Sequence, residues 1–214
     1  RQFDQFRIRL LEWNKKVNLT NITESEDFAK KHIIDSLMPV KYDEIHSGAG
    51  IIDVGTGPGI PGLIIKIYRP DIKLSLLESV RKKTEFLTWI IKDMNISHVK
   101  VINERAENIG HNYDYREKYD IAVARAVSAL NTLSELCMPF VKIGGIFIAM
   151  KGISPEQEIN LSERALDILG GKVKECRKYM LDKDSQRSLI IISKVKECPD
   201  KYPRRPGVPG KNPL

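Results

Sequence analysis

Asp53 is followed by glycine at positions 55, 57 and 59 within Ile51-Ile52-Asp53-Val54-Gly55-Thr56-Gly57-Pro58-Gly59-Ile60-Pro61-Gly62. A short apolar run enters this loop, and Leu63, Ile64, Ile65 and Ile67 resume at helical spacing beyond it. Strand, glycine turn and helix form the setting in which dinucleotide proteins hold a pyrophosphate. The third glycine of that fingerprint lies three residues after the second, where this chain has Ile60. Asp53 would also set a carboxylate beside the incoming anion. A carboxylate suits a ligand with positive charge and hydrogen-bond donors. S-adenosylmethionine, with its sulfonium, ammonium and sugar, is such a ligand, and glycine lets the backbone approach it closely. The plainer alternative is a tight structural turn.

Other acids and one arginine fall at the tips of later strands. Lys73-Leu74-Ser75-Leu76-Leu77 ends in Glu78, a little more than about 20 residues past the glycine loop, where an acid can bind ribose hydroxyls. Arg105-Ala106-Glu107 offers a small residue and an acid that could admit an adenine ring and accept from its amino group. Arg125 ends the run Tyr119-Asp120-Ile121-Ala122-Val123-Ala124 and should emerge at the carboxyl edge of a sheet, where open α/β sheets hold ligands. Its partner is a methionine carboxylate, an RNA phosphate or a structural carboxylate.

What is missing narrows the reaction. No Asn/Asp-Pro-Pro-Tyr/Phe motif follows the fourth strand, which argues against methylation of exocyclic amino groups. No Pro-Cys dipeptide supplies a nucleophile for carbon methylation, and no Gly-x-Ser-x-Gly elbow points to a hydrolase. Cys137 sits in an apolar helical stretch and reads as core. Cys137, Cys176 and Cys198 read as reduced thiols, and His32, His46, His98 and His111 show no ligand spacing, so no metal is expected.

The elements that must position these residues follow from periodicity. Phe3, Phe6, Leu10, Trp13 and Val17 mark one face of an opening helix. Thr23 and Glu26 suggest a capping box for a second helix reaching Leu37, with Ile33, Ile34, Leu37 and Met38 as its apolar face and Phe28, His32 and Asp35 on another. Strands are predicted at 50–54, 73–78, 99–102, 119–124, 145–151, 172–180 and 187–194, and helices at 60–68, 80–95, 128–138 and 155–169. Only Asp182-Lys183-Asp184-Ser185 separates the last two strands, which should form an antiparallel hairpin. Ser79 is the expected cap of the helix after Glu78. Arg81, Lys82 and Lys83 then crowd its first turn, against the dipole unless solvated or facing an anion.

A chain of 214 residues, 42% hydrophobic and 7% aromatic, suits one domain with a small extension. No run is long enough to span a membrane, and the start lacks both a signal-peptide pattern and an initiator Met, so a leader could precede it. The expected compartment is the cytoplasm and the expected state a monomer. Net charge is +7, with a pI of about 9.2, which favours polyanionic partners. From Lys201 to Leu214 the bases Lys201, Arg204, Arg205 and Lys211 face no acid, among four prolines and two glycines. Such a segment should be neither helix nor inner strand. It reads either as a solvated tail or as an arm that orders on RNA phosphates, with Arg204 and Arg205 as candidate contacts.

The chain resembles the bacterial ribosomal small-subunit methyltransferase G family, also called glucose-inhibited division protein B, over nearly its whole length. The residues that carry the likeness are Trp13-Asn14-Lys15-Lys16-Val17-Asn18-Leu19-Thr20, His32-Ile33-Ile34-Asp35-Ser36-Leu37, the loop from Asp53 to Gly62, and the ending Lys201-Tyr202-Pro203-Arg204-Arg205-Pro206-Gly207 through Pro213-Leu214. The resemblance implies an α/β, Rossmann-like class I S-adenosylmethionine-dependent methyltransferase. A mostly parallel seven-stranded sheet would carry an antiparallel C-terminal hairpin and an N-terminal helical cap. Residues 1–47 would be a helical extension, 48–196 the methyltransferase domain and 197–214 a basic arm. The implied reaction is methyl transfer to N7 of one guanine in 16S ribosomal RNA, on naked RNA or on the small ribosomal subunit. Implied cofactor contacts are Gly55, Ile60, Ala106, Glu107 and Arg125; the strand-tip reading adds Asp53, Gly57 and Glu78. Lys151 and Arg187 match basic positions on the family's active-site side, and RNA is the expected partner of both. N7 of guanine carries no proton, so no catalytic acid or base is expected. A small-molecule methyltransferase would keep the loop without needing the basic tail, and an assembly factor would bind RNA with an idle pocket.

Overall fold

The central strands read as apolar runs because helices cover both of their faces. The structure, a computed structural model, describes residues 1–42, 44–125 and 127–214. Its strands are β1 (Gly50–Val54), β2 (Lys73–Glu78), β3 (Val99–Asn103), β4 (Tyr119–Arg125), β5 (Val141–Lys151), β6 (Gly171–Met180) and β7 (Gln186–Lys194). They form one sheet in the order β3-β2-β1-β4-β5-β7-β6. The first five are parallel, while β7 runs antiparallel to both β5 and β6. The expected mostly parallel sheet with a terminal hairpin is therefore present. The expected start of β5 at residue 145 is too late. Gly144 and Gly145 sit in a register shift opposite Tyr119 and Ile121, and the strand runs on through them.

The helices are α1 (Gln2–Asn14), α2 (Ser25–Phe28), α3 (Asp35–Lys41), α4 (Gly62–Tyr68), α5 (Arg81–Asp93), α6 (Ala106–Ile109), α7 (Leu130–Cys137), α8 (Pro155–Leu169) and α9 (Val208–Lys211). One face of the sheet, through Ile51, Leu76, Val123 and Ile148, packs on Phe6, Leu10, Phe28, Leu63 and Phe86 from the first five helices. The other, through Ile52, Ala122, Phe147 and Ile190, packs on Leu133, Cys137, Leu166, Cys198 and Tyr202. Cys137 is core, as expected. Among the described residues no helix is long and apolar enough to cross a membrane.

Three local expectations are corrected. The second helix starts at Ser25 without a side-chain cap, and Ala29–Ile34 form a π-helical turn between α2 and α3. The wholly buried face is that of Phe28, His32 and Asp35, while Ile34 stays 49% exposed. Polar partners described below make this burial possible. Helix α5 begins after Val80, not Ser79; the amide of Val80 donates to Glu78 Oε1 at 2.8 Å. Arg81 meets Glu85 at the surface, so the basic first turn of α5 is solvated. Finally, the Pro/Gly-rich terminus holds the short helix α9, where Pro209 falls in the first turn and its missing N–H leaves no bond unmade.

Candidate active site

Tight backbone bonding shapes the loop leaving β1. The amides of Gly55 and Thr56 both donate to the Leu77 carbonyl, at 2.9 and 3.1 Å, and that of Gly57 donates to Glu78 Oε2 at 3.0 Å. Gly57 has φ +60, and a β-carbon placed there would meet nothing within 4 Å. The loop thus borders open space that only glycine leaves clear. At Gly55 a β-carbon would come 2.9 Å from Val127.

Asp53 departs from its expected role facing a ligand. Its side chain is fully buried beneath the loop, and Oδ2 accepts from Thr56 Oγ1 at 2.5 Å and from the Gly62 amide at 2.8 Å. It therefore ties the loop to the first turn of α4. Burial pushes its pKa up to about 6, although the bonds from Thr56 and Gly62 oppose the rise. Oδ1 is buried without a hydrogen-bond partner. The open space at Gly57, with the Glu78 carboxylate beside it, suits a ligand that carries positive charge and hydroxyl donors, so S-adenosylmethionine fits the residues present.

The strand tips align. Val54 pairs with Leu77, Glu78 with Asn103, Asp53 with Val123, and Arg125 with Met150. Gly55, Glu78 and Arg125 therefore share one row at the carboxyl edge, across the β1/β4 point where strand order reverses. Ile60 is buried in the core. Ala106 opens α6 and is buried, and Glu107 follows it half-buried.

Arg125 is already engaged. Its Nη1 donates to the Lys31 carbonyl at 2.6 Å and to Asp35 Oδ2 at 3.1 Å, and Nη2 lies 3.1 Å from His32 Nδ1. The structural carboxylate is thus Asp35, to whose Oδ1 the Tyr179 hydroxyl donates at 2.6 Å. The π-helical turn sets Lys31, His32 and Asp35 toward the end of β4. Here a cavity of about 470 Å³ brings Lys31, Arg125, Lys151 and Arg187 together with Asp35 and Glu158. Lys151 Nζ is held at 2.6 Å by both Glu158 and the Ser128 carbonyl. Among the described residues the Arg187 side chain donates only to its neighbour's carbonyl, at Gln186, and it lines the cavity.

The family model for rRNA small subunit methyltransferase G matches residues 1–190. The chain belongs to that family. Proteins named ribosomal RNA small subunit methyltransferase G from Clostridium botulinum (strain Loch Maree / Type A3) and Moorella thermoacetica are each 47% identical to it, covering 100% and 96% of this chain and 90% and 86% of their own. Among solved structures, M. jannaschii TYW2 in complex with AdoMet shares the fold, with a TM-score of 0.62 at 12% identity, over 82% of this chain and 80% of that one.

Within this methyltransferase G chain the terminal segment is a strap, which corrects the expected RNA contact at Arg204. Its amide, Nε and Nη2 bond the fully buried Glu135 carboxylate at 2.6–2.9 Å. The Arg205 side chain is exposed and makes no hydrogen bond or ion pair among the described residues, while its carbonyl accepts from the Val208 amide at 3.0 Å. Composition could not reveal this, because the acceptor lies 69 residues away. Sequence reasoning also assigned no role to Asp35, His32, Tyr179 and Glu158. The signature His32-Ile33-Ile34-Asp35 was the only available signal for the first two.

His32 gives this family member an acid-side sensitivity. Nδ1 accepts from Arg125, so the ring proton sits on Nε2, 2.8 Å from Thr20 Oγ1. Burial, and then the Arg125 charge, lower its pKa to about 4. The folded value lies below the unfolded one of about 6.5, so stability is complete above pH 6.5 and is lost as pH falls toward 4. A shift of this size amounts to at most about 3 kcal/mol. Asp53, raised to about 6, works in the opposite sense over nearly the same window. His32→Gln should therefore flatten the acid-side fall in urea-unfolding free energy between pH 6.5 and 4. An unchanged fall would remove His32 as its source.

Proposed function

We propose that this chain transfers a methyl group from S-adenosylmethionine to N7 of one guanine in 16S ribosomal RNA. The observation that supports this reading is the double position of Arg125. It lies abreast of the glycine loop and also lines the cation-rich cavity, so a donor on the loop and a base in the cavity would meet at the end of β4. The open space at Gly57, with Gly55 and Glu78 beside it, would hold the donor, with Glu78 on the ribose hydroxyls and Arg125 bracing the wall abreast of them. Ala106 and Glu107 would take the adenine, Ile60 contributes through its backbone, and Asp53 acts through the loop it ties. In this reading residues 1–47 wall the RNA side, 48–196 carry the donor and 197–214 brace it.

S-adenosylmethionine supplies a methyl carbon activated by its positively charged sulfur. N7 of guanine brings a lone pair and no proton, so no side chain needs to act as a general base. The work left to this chain is alignment, which can contribute about 7–11 kcal/mol when reacting atoms are held near attack distance. Arg187 and Lys31 are placed to hold phosphates that fix the base, while Lys151 and Arg125 keep the cavity wall rigid through Glu158 and Asp35. Nucleoside mass mapping of 16S ribosomal RNA incubated with this protein and S-adenosylmethionine should show one new 7-methylguanosine. Methylation elsewhere, or none on RNA or small subunits, would overturn the assignment.

Glu78 offers a narrower check. Glu78→Ala should weaken both S-adenosylmethionine and its demethylated product by about 1.5–3 kcal/mol, the scale of a charged hydrogen bond, because both carry the ribose. Calorimetry that finds the loss for only one of them would count against the ribose role.

A further inference from the structure

We infer that the C-terminal strap, residues 197–214, positions Glu107 for the adenine of the methyl donor, with Glu135 and Arg204 as positioning residues. The inference rests on the cofactor reading above and concerns a segment beyond the residues 1–190 that the family model matches.

Helix α6 is only four residues long and cannot hold its own geometry in water. What holds it comes from the strap. The Arg116 guanidinium donates to the Gly110 carbonyl just past α6 and also to the carbonyls of Cys198, Pro199 and Tyr202, all at 2.6–3.1 Å. The His111 ring bonds the Pro203 carbonyl at 2.7 Å. Pro203 lies so close to Gly110 that a β-carbon there would come within 2.8 Å of it. The end of α6 is thereby clamped.

Its beginning is held separately. The chain turns at Gly207, φ +83, and the Gly207 amide donates to Glu107 Oε1 at 3.0 Å. One carboxylate oxygen is fixed by this bond, while Oε2 has no partner among the described residues and remains an acceptor for an exocyclic amino group. The turn is anchored on both sides. Arg204 grips Glu135, and Thr132 Oγ1 donates to the Pro209 carbonyl at 3.1 Å. Glu135 is a buried carboxylate whose hydrogen-bond donors, among the described residues, all come from Arg204, so the anchor is strongly specified. The basic residue that composition suggests for RNA instead serves the cofactor side.

The test uses S-adenosylhomocysteine and its inosyl counterpart, in which a carbonyl oxygen replaces the adenine amino group. Calorimetry on the full-length protein should show a preference for the adenosyl form of about tenfold or more, which Glu107→Gln largely abolishes. Arg204→Gln and Gly207→Ala should each reduce that preference by about threefold or more, an effect that a merely structural strap would not produce. A β-carbon at Gly207 meets no atom within 4 Å and strains only the turn, so this variant decides alone if Arg204→Gln fails to fold. Wild-type preference in the strap variants, beside its loss in Glu107→Gln, would overturn the strap inference and leave the cofactor reading standing. Full preference in Glu107→Gln would instead remove the acid from the adenine site.

Discussion

Gly57→Val should abolish measurable S-adenosylmethionine binding, a loss of at least about 100-fold, while the protein still folds. The β-carbon of a valine there would meet no protein atom within 4 Å, so the core is not crowded. The cost to the fold is the left-handed backbone at φ +60, roughly 1–2 kcal/mol for a residue with a β-carbon. In a protein of this size that corresponds to a fall in melting temperature of about 2–8 °C. The cost to the ligand is steric, since the side chain would occupy the space through which the loop backbone is approached. Gly62→Ala is the informative contrast. Its β-carbon would lie 2.8 Å from both Asp53 Oδ2 and Leu76, inside the core that ties the loop to α4. That variant should lose stability first and affinity only as a consequence. Retained tight binding by Gly57→Val in calorimetry would refute the loop assignment.

The contrast between these two glycines also marks how far sequence reading reaches. Glycine, acid and apolar run placed β1 and β2 without error, because each signal is local. Helix α8 was likewise legible, expected at 155–169 and found at Pro155–Leu169. The orientation of Asp53 was not. The same carboxylate can face a ligand or its own loop, and only the burial supplied by α4 and β2 decides. The π-helical turn before α3 escaped because the group that its residues bond, Arg125, lies more than 90 residues away. The strap escaped for the same reason. Its proline and glycine content describes a chain unable to build a ladder or a long helix, and says nothing of Arg116, Glu107 and Glu135, which bond its carbonyls, amides and guanidinium at separations of 69–100 residues. Periodicity records what neighbours do together; hydrogen bonds across the fold leave no period.

Breaking the Arg125–Asp35 pair should be the most damaging single change to the N-terminal wall of the cavity. Arg125 is 15% exposed at its side chain and Asp35 6%, so the charge left when either partner is removed stays largely desolvated at the cavity wall. Among the described residues Asp35→Ala leaves the guanidinium with only the Lys31 carbonyl and the His32 ring, and frees the Tyr179 hydroxyl as well. Loss of one member of a buried pair costs about 3–5 kcal/mol, which here lowers the melting temperature by on the order of 10 °C. Arg125→Ala should cost a similar amount. The double variant should cost less than the sum by about 0.5–3 kcal/mol, because it leaves no orphaned charge. Strict additivity in urea unfolding would mean that the pair does not act as one unit. The pair also separates two roles for Arg125. If the guanidinium chiefly braces the wall, Asp35→Ala should impair RNA methylation while the protein, below its lowered melting temperature, still binds S-adenosylmethionine normally. If Arg125 instead contacts the donor directly, Arg125→Ala should lose donor affinity while Asp35→Ala, with its freed guanidinium, keeps it. The present bonding of Arg125 to Lys31, His32 and Asp35 favours the bracing outcome, since three acceptors from the N-terminal wall already surround the fork.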